Sequence, residues 1–221
     1  MAREPGDDDD AGLLSAALDA VRAEDLEMAR ARLADLVRTS PDSVAAWTNY
    51  GAVLGELGLE DQARCALESA LALDPAAMEA ASNLGVLDRE GGRLMEAEAR
   101  FRAILEREPG NLAAHYNLAH TLFLAARFDE AADVYRAGLR RDEARTPNQN
   151  ARLAWSLLAA GRCAEAKREL DRSLGRLPPE EMEALRAEAA EVLPAIAAAR
   201  PDLAGEVARL DRALIAARGR R

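Results

Sequence analysis

Lysine is nearly missing from this chain: Lys167 is the only one among 29 basic residues in 221. Aromatic residues make up 4% of the sequence, and cysteine and histidine occur twice each. Each shortage removes a class of protein. Few aromatic and β-branched residues make an all-β fold improbable. Two cysteines cannot build a disulfide framework, so Cys65 and Cys163 read as ordinary core or loop residues. No run approaches the roughly 18 consecutive apolar residues of a membrane span. Met1–Asp10 is acidic where a secretion signal is basic and then apolar, so a cytoplasmic protein that binds no membrane is expected. A basic face able to neutralise phosphates is also wanting, because the formal charge is -10, and nucleic acid is not an expected partner.

What is present is long runs of Ala, Leu, Glu and Arg, the residues that lose least on entering a helix. They are organised by a repeat. Pro41, Pro75 and Pro109 fall 34 residues apart, and Ala29, Ala63, Ala97 and Ala131 keep the same step. Around these anchors one pattern recurs: Trp47, Tyr50, Gly51 and Leu54, then Ala63 and Leu67, then Pro75; its next copy runs Asn83-Leu84-Gly85, Ala97, Phe101, Pro109. Positions 4, 7, 8 and 11 of each unit share one helical face, which is the packing stripe. Gly or Ala at position 8 and Ala at position 20 should let small residues of paired helices meet. Gly58, Gly91-Gly92 and Gly161 mark the turns between helices, and the prolines stop the second helix.

This grammar resembles the tetratricopeptide repeat, whose 34-residue unit is a helix-turn-helix. Units are expected to start near residues 10, 44, 78, 112 and 147, so that an array covers residues 10–179. The resemblance implies an all-α fold, a superhelix of about five units with a C-terminal helical cap. Residues 1–9 read as an acidic disordered tail. Residues 180–221 read as capping helices and a basic tail, with Pro194 kinking or restarting the first helix. The second helix, with Leu203, Val207, Leu210 and Leu214, reads either as cover for the last unit or as the seam of a homodimer or a partner-binding helix.

Nothing in the sequence supplies an active site. His115 and His120 are five apart and do not form an i, i+4 metal pair, and there is no nucleophile elbow, phosphate loop, metal set or cofactor fingerprint. A non-enzymatic protein with no cofactor and no metal is expected. His115 occupies the packing position of Trp47 and reads as structural.

Asn49, Asn83 and Asn117 stand at position 6 of consecutive units, opposite the packing stripe. In tetratricopeptide arrays the first helices line a concave groove, and the three asparagines resemble the ladder by which peptide-binding members hold a ligand backbone. A carboxamide offers both a donor and an acceptor, matching the N–H and C=O of a peptide unit. Neighbouring positions supply Thr48, Arg89, Tyr116, His120, Phe123, Arg152 and Trp155. The aromatic ones form a candidate anchor pocket, although Phe123 and Trp155 read equally well as packing between units. Arg89 and Arg152 could grip a carboxylate, as Lys and Arg do in the family's chaperone-tail adaptors. Arg93, Arg127 and Arg162 at position 16 read as solvated. The expected function is an adaptor that binds an extended peptide segment of another protein in its groove. The alternatives are a scaffold subunit assembling through its convex face or terminal helices, and an accessory subunit of a separate enzyme.

Overall fold

Asp25, Ser43 and Asn111 each stop one segment and start the next helix. Their side chains accept from the amides of Met28, Ala46 and Ala114 at 3.0, 3.2 and 2.9 Å, satisfying a donor that the first turn leaves open. The computed structural model describes residues 7–141, 147–174 and 179–216. Among them every regular element is a helix and no strand occurs. None of these helices is long and apolar enough to cross a membrane.

The chain divides into two units, Met1–Arg107 and Glu108–Arg221. The first holds three hairpins: α1 (Asp7–Arg22) with α2 (Leu26–Thr39), α3 (Val44–Glu56) with α4 (Glu60–Leu73), and α5 (Met78–Glu90) with α6 (Leu94–Arg107). The second holds α7 (Leu112–Leu124) with α8 (Phe128–Arg141) and α9 (Pro147–Ala159) with α10 (Cys163–Leu174). It continues into α11 (Pro179–Ala199), a 3-10 turn (Pro201–Leu203) and α12 (Ala204–Ala216). Four of the five expected unit starts coincide with helix starts. The first helix begins earlier than Asp10, at Asp7, and takes in part of the acidic run. The remainder of that tail, residues 1–6, and the basic end, residues 217–221, lie outside the described residues.

The expected meeting of small residues is one part of the contact: a Cβ on Gly51 would lie 3.2 Å from the Ala63 carbonyl oxygen, but a large side chain comes closer still. A Cβ on Gly51 would lie 2.6 Å from Leu67 Cγ, and one on Gly85 would lie 2.8 Å from Phe101 Cζ. Position 8 is small because the large side chain at position 24 fills it. Tyr135 holds position 24 of the fourth hairpin, whose position 8 is Ala119, and both are buried. Leu67 and Phe101 are fully buried, which makes this exchange of volume the centre of each hairpin.

All five hairpin turns close in one way. The amides of Asp25, Leu59, Arg93, Arg127 and Arg162 reach back to the carbonyls of Ala20, Leu54, Asp88, Leu122 and Leu157, each five residues earlier. Such a turn needs a left-handed residue at position 15. Gly58, Gly92 and Gly161 take it with φ of 73°, 74° and 82°, whereas Glu24 and Ala126 are forced to φ of 59° and 58°. A side chain costs energy there. Ala126→Gly is therefore expected to raise stability by about 0.5–1 kcal/mol, after allowing for the extra freedom glycine gives the unfolded chain. Chemical denaturation of the two proteins checks the sign.

Position 4 shows a second rule. Trp47 Nε1 donates to the Pro41 carbonyl at 2.8 Å, and His115 Nε2 lies 3.1 Å from the carbonyl of Pro109, so the ring of one hairpin holds the proline that precedes it. His115 is buried and structural, as its register implies.

The apolar stripe of the C-terminal helices turns inward. Leu185, Ala189, Leu193 and Ile196 of α11, and Val207, Leu210 and Leu214 of α12, share a core with Trp155, Leu157, Leu158 and Leu170 of the fifth hairpin. Arg200 fastens the arrangement: its Nη1 donates to the last carbonyl of α9, Ala159, at 2.7 Å, while Nε and Nη2 fork onto Asp202 at 3.0 and 2.8 Å. Pro194 does not restart α11, which runs through it as one helix with the ring exposed.

Candidate recognition surfaces

The three asparagines do not share one environment. Asn49 is half-buried and turns its carboxamide back on its own helix, Nδ2 donating to Ala45 O at 2.8 Å. Asn83 lines a recess of about 260 Å³ between α3 and α5, with Ala52, Gly55, Glu56, Val86 and Glu90 among its neighbours. Asn117 is half-buried on α7, where its backbone carbonyl accepts from Thr121 Oγ1 at 2.8 Å. Thr48 is buried, with its hydroxyl bonded to Val44 O at 2.8 Å, so it packs inside the hairpin and does not line a surface.

In the C-terminal unit the candidate aromatic residues do converge. His120 and Phe123 from α7, Tyr135 from α8, and Arg152, Trp155 and Ser156 from α9 line one cavity of about 360 Å³, closed on another side by Glu188, Glu191 and Val192 of α11. Tyr116 abuts it, its ring 6.2 Å from that of Tyr135. Phe123 meets Phe128 edge-on at 5.3 Å. Trp155 serves both roles foreseen for it: it is 2% exposed within the core and also forms part of the cavity wall. Its Nε1 is buried without a hydrogen-bond partner among the described residues, a donor whose isolation is costly. Arg152 is half-exposed and sits 3.4 Å from Glu188 Oε1. The carboxylates of α11 were invisible to repeat grammar, because α11 lies beyond the last unit.

Arg89 belongs to the N-terminal unit, where its side chain is mostly buried and lies 3.8 Å from Glu90 Oε1. The position-16 arginines are not simply solvated. Arg127 forks onto Glu130 at 2.7 and 2.6 Å, and Arg162 forks onto Glu165 at 2.8 and 2.9 Å. Hydrogen bonding to Glu165 raises the Arg162 pKa, and the same contact lowers that of Glu165.

Arg93 departs further, for it turns to Asp88. This carboxylate replaces the leucine of position 11 and is 1% exposed. Arg64 reaches it from α4 at 2.7 Å, Arg93 from the turn at 3.0 Å and Arg100 from α6 at 2.8 Å. Burial raises its pKa, but the hydrogen bonds from Arg100, Arg64 and Arg93 outweigh burial and leave it below the ordinary carboxylate value. Three cations on one buried anion compose a structural clamp.

Two family models, both described as tetratricopeptide repeat, match residues 14–77 and 89–149. Solved structures share the fold. MamA 41-end from Desulfovibrio magneticus RS-1 is 16% identical, with 76% of this chain and 94% of that chain covered and a TM-score of 0.67. MamA of AMB-1 is 21% identical over 73% of this chain and 95% of that one, with a TM-score of 0.63. MamA of MSR-1 is 20% identical over 76% and 95%, with a TM-score of 0.61. No curated protein matches the chain in sequence.

Proposed function

The chain belongs to the tetratricopeptide-repeat family, whose repeats make it a protein-interaction or scaffold module, and on that premise we propose that it binds an extended peptide segment of a partner protein without catalysing a reaction. The observation that carries this reading is the cavity of the C-terminal unit. Phe123, Tyr135, Trp155 and Val192 give it an apolar lining, and His120, Arg152, Ser156, Glu188 and Glu191 supply polar groups. Aromatic surface combined with placed polar groups is how small recognition sites are built. A partner side chain enters against the aromatic rings, and a carbonyl beside it accepts from the buried Trp155 N–H. Beside that cavity in the C-terminal unit, Asn117 contacts the peptide backbone with Tyr116 as a further contact; in the N-terminal unit Asn83 is a backbone contact, with Asn49 and Arg89 as further candidates.

The scaffold alternative, self-assembly through the terminal helices, has to use the exposed side of α12 that carries Ile215. Val207, Leu210 and Leu214 are already buried against the chain's own core.

A peptide held by an anchor and a few hydrogen bonds of about 0.5–1.5 kcal/mol each should bind at about micromolar strength. The test begins with partners captured from native extract, maps the bound segment as a synthetic peptide, and titrates it while following Trp fluorescence. Phe123→Ala is expected to weaken the peptide about tenfold or more, and Asn83→Ala with Asn117→Ala by a similar factor, with helicity retained. Titration curves that coincide with wild type would remove the cavity and the asparagines from the binding site.

A further inference from the structure

Of the three hairpins preceded by Pro41, Pro75 or Pro109, the second and fourth place a ring at position 4 and the third does not. Its position 4 is Ala81, which has no ring to offer the preceding proline, Pro75. Where the ring would stand there is a recess of about 430 Å³, walled by Leu71, Met78, Ala81, Ala103 and Ile104 and bounded by Pro75. The second hairpin is a template for its contents. Trp47 packs there against the clusters that hold Val37 and Ala70, and the residues in register with those two, 34 positions on, are Leu71 and Ile104. The Pro75 carbonyl, whose counterparts at Pro41 and Pro109 meet ring nitrogens, is reached only at long range, by Arg107 Nη1 at 3.5 Å. Arg107 is exposed and lines the recess together with Arg100, which is held by Asp88, and Glu106, so the charged group nearest that carbonyl is the Arg107 guanidinium.

We propose that this recess receives a tryptophan side chain of a partner protein, the indole N–H donating to the Pro75 carbonyl and an acidic group next to that tryptophan pairing with Arg107. The site is separate from the aromatic cavity of the C-terminal unit and does not depend on it. Shape selects the indole, as it does within the chain at Trp47. Charge then selects its setting, because a guanidinium beside that carbonyl favours a neighbouring carboxylate.

The probe is N-acetyl-tryptophan, which carries both the indole and a carboxylate, titrated into the full chain while the Met78 and Ile104 methyl resonances are followed. Saturable shifts at both methyls are expected. N-acetyl-tryptophanamide, lacking the carboxylate, and N-acetyl-phenylalanine, lacking the ring N–H, should each bind several-fold to about tenfold more weakly, the range one hydrogen bond or exposed ion pair allows. Arg107→Ala should erase the preference for the acid over the amide. Ala81→Trp should fill the recess from within, abolish the shifts and melt at a higher temperature than wild type. Absence of saturable shifts in the wild type, equal binding of all three probes, or persistence of binding in a folded Ala81→Trp protein overturns the proposal. An Ala81→Trp chain that fails to fold overturns it as well, since the recess would then lack the shape of the Trp47 slot.

Discussion

Phe101→Ala should lower the unfolding free energy by about 3–5 kcal/mol, the range for truncating a fully buried aromatic ring. Phe101 is wholly inaccessible, and its ring fills the space left by Gly85 on the facing helix. The same geometry predicts a reversal of sign in a double-mutant cycle. In the wild type, Gly85→Ala drives a Cβ to 2.8 Å from the ring and should cost about 1–3 kcal/mol by overpacking. In the Phe101→Ala background the ring is gone, and the added methyl fills space and favours helix by about 1 kcal/mol over glycine. Gly85→Ala then stabilises. Urea unfolding of the four proteins measures the coupling, and additive effects would show that the two positions do not share volume.

Asp88→Ala should cost about 3 kcal/mol near neutral pH, because it removes charge-assisted hydrogen bonds and leaves the arginines without their common anion. The arginines are partly exposed and can turn toward water, which keeps the loss at the lower end of what breaking a buried ion pair costs. The pH dependence has a definite direction. The folded pKa of Asp88 lies below its unfolded value of about 3.9, so its contribution is complete above that value and disappears as pH falls through the folded pKa. Wild type should therefore lose stability more steeply below about pH 4 than Asp88→Leu, which restores the apolar residue other hairpins carry at position 11. Parallel acid profiles of the two proteins would show that the clamp does not titrate with folding.

Much of the fold was legible because each hairpin is specified locally. Pro41, Pro75 and Pro109 gave the period, and Val44, Met78, Leu112 and Pro147 begin helices where it placed them. Other features depend on partners remote in sequence, where a periodic pattern carries no information. By register Asp88 stands in the packing stripe, at position 11, and it is Arg64, Arg93 and Arg100 arriving from three elements that make it a clamp. Glu24 and Ala126 occupy left-handed turn positions that glycine marks in the other hairpins, so composition alone passed over them. The small residues of position 8 were recognised, but which side chain fills the space they leave follows from the helix crossing, not from the period. Asn49, Asn83 and Asn117 repeat faithfully in sequence, yet Asn83 borders a recess while Asn49 turns its carboxamide back on its own helix. The aromatic cavity combines both cases: His120, Phe123, Arg152 and Trp155 stood out by type, whereas Glu188, Glu191 and Val192 come from a helix outside the repeat.

The shared core of α9 to α12 means that the fifth hairpin has no finished outer wall of its own. A gene shortened to end after that hairpin would uncover the faces of α9 and α10 that α11 and α12 now meet, and its product should sediment as aggregates. Extra hairpins are therefore best grafted between units already present, ahead of the point where Arg200 latches the chain shut.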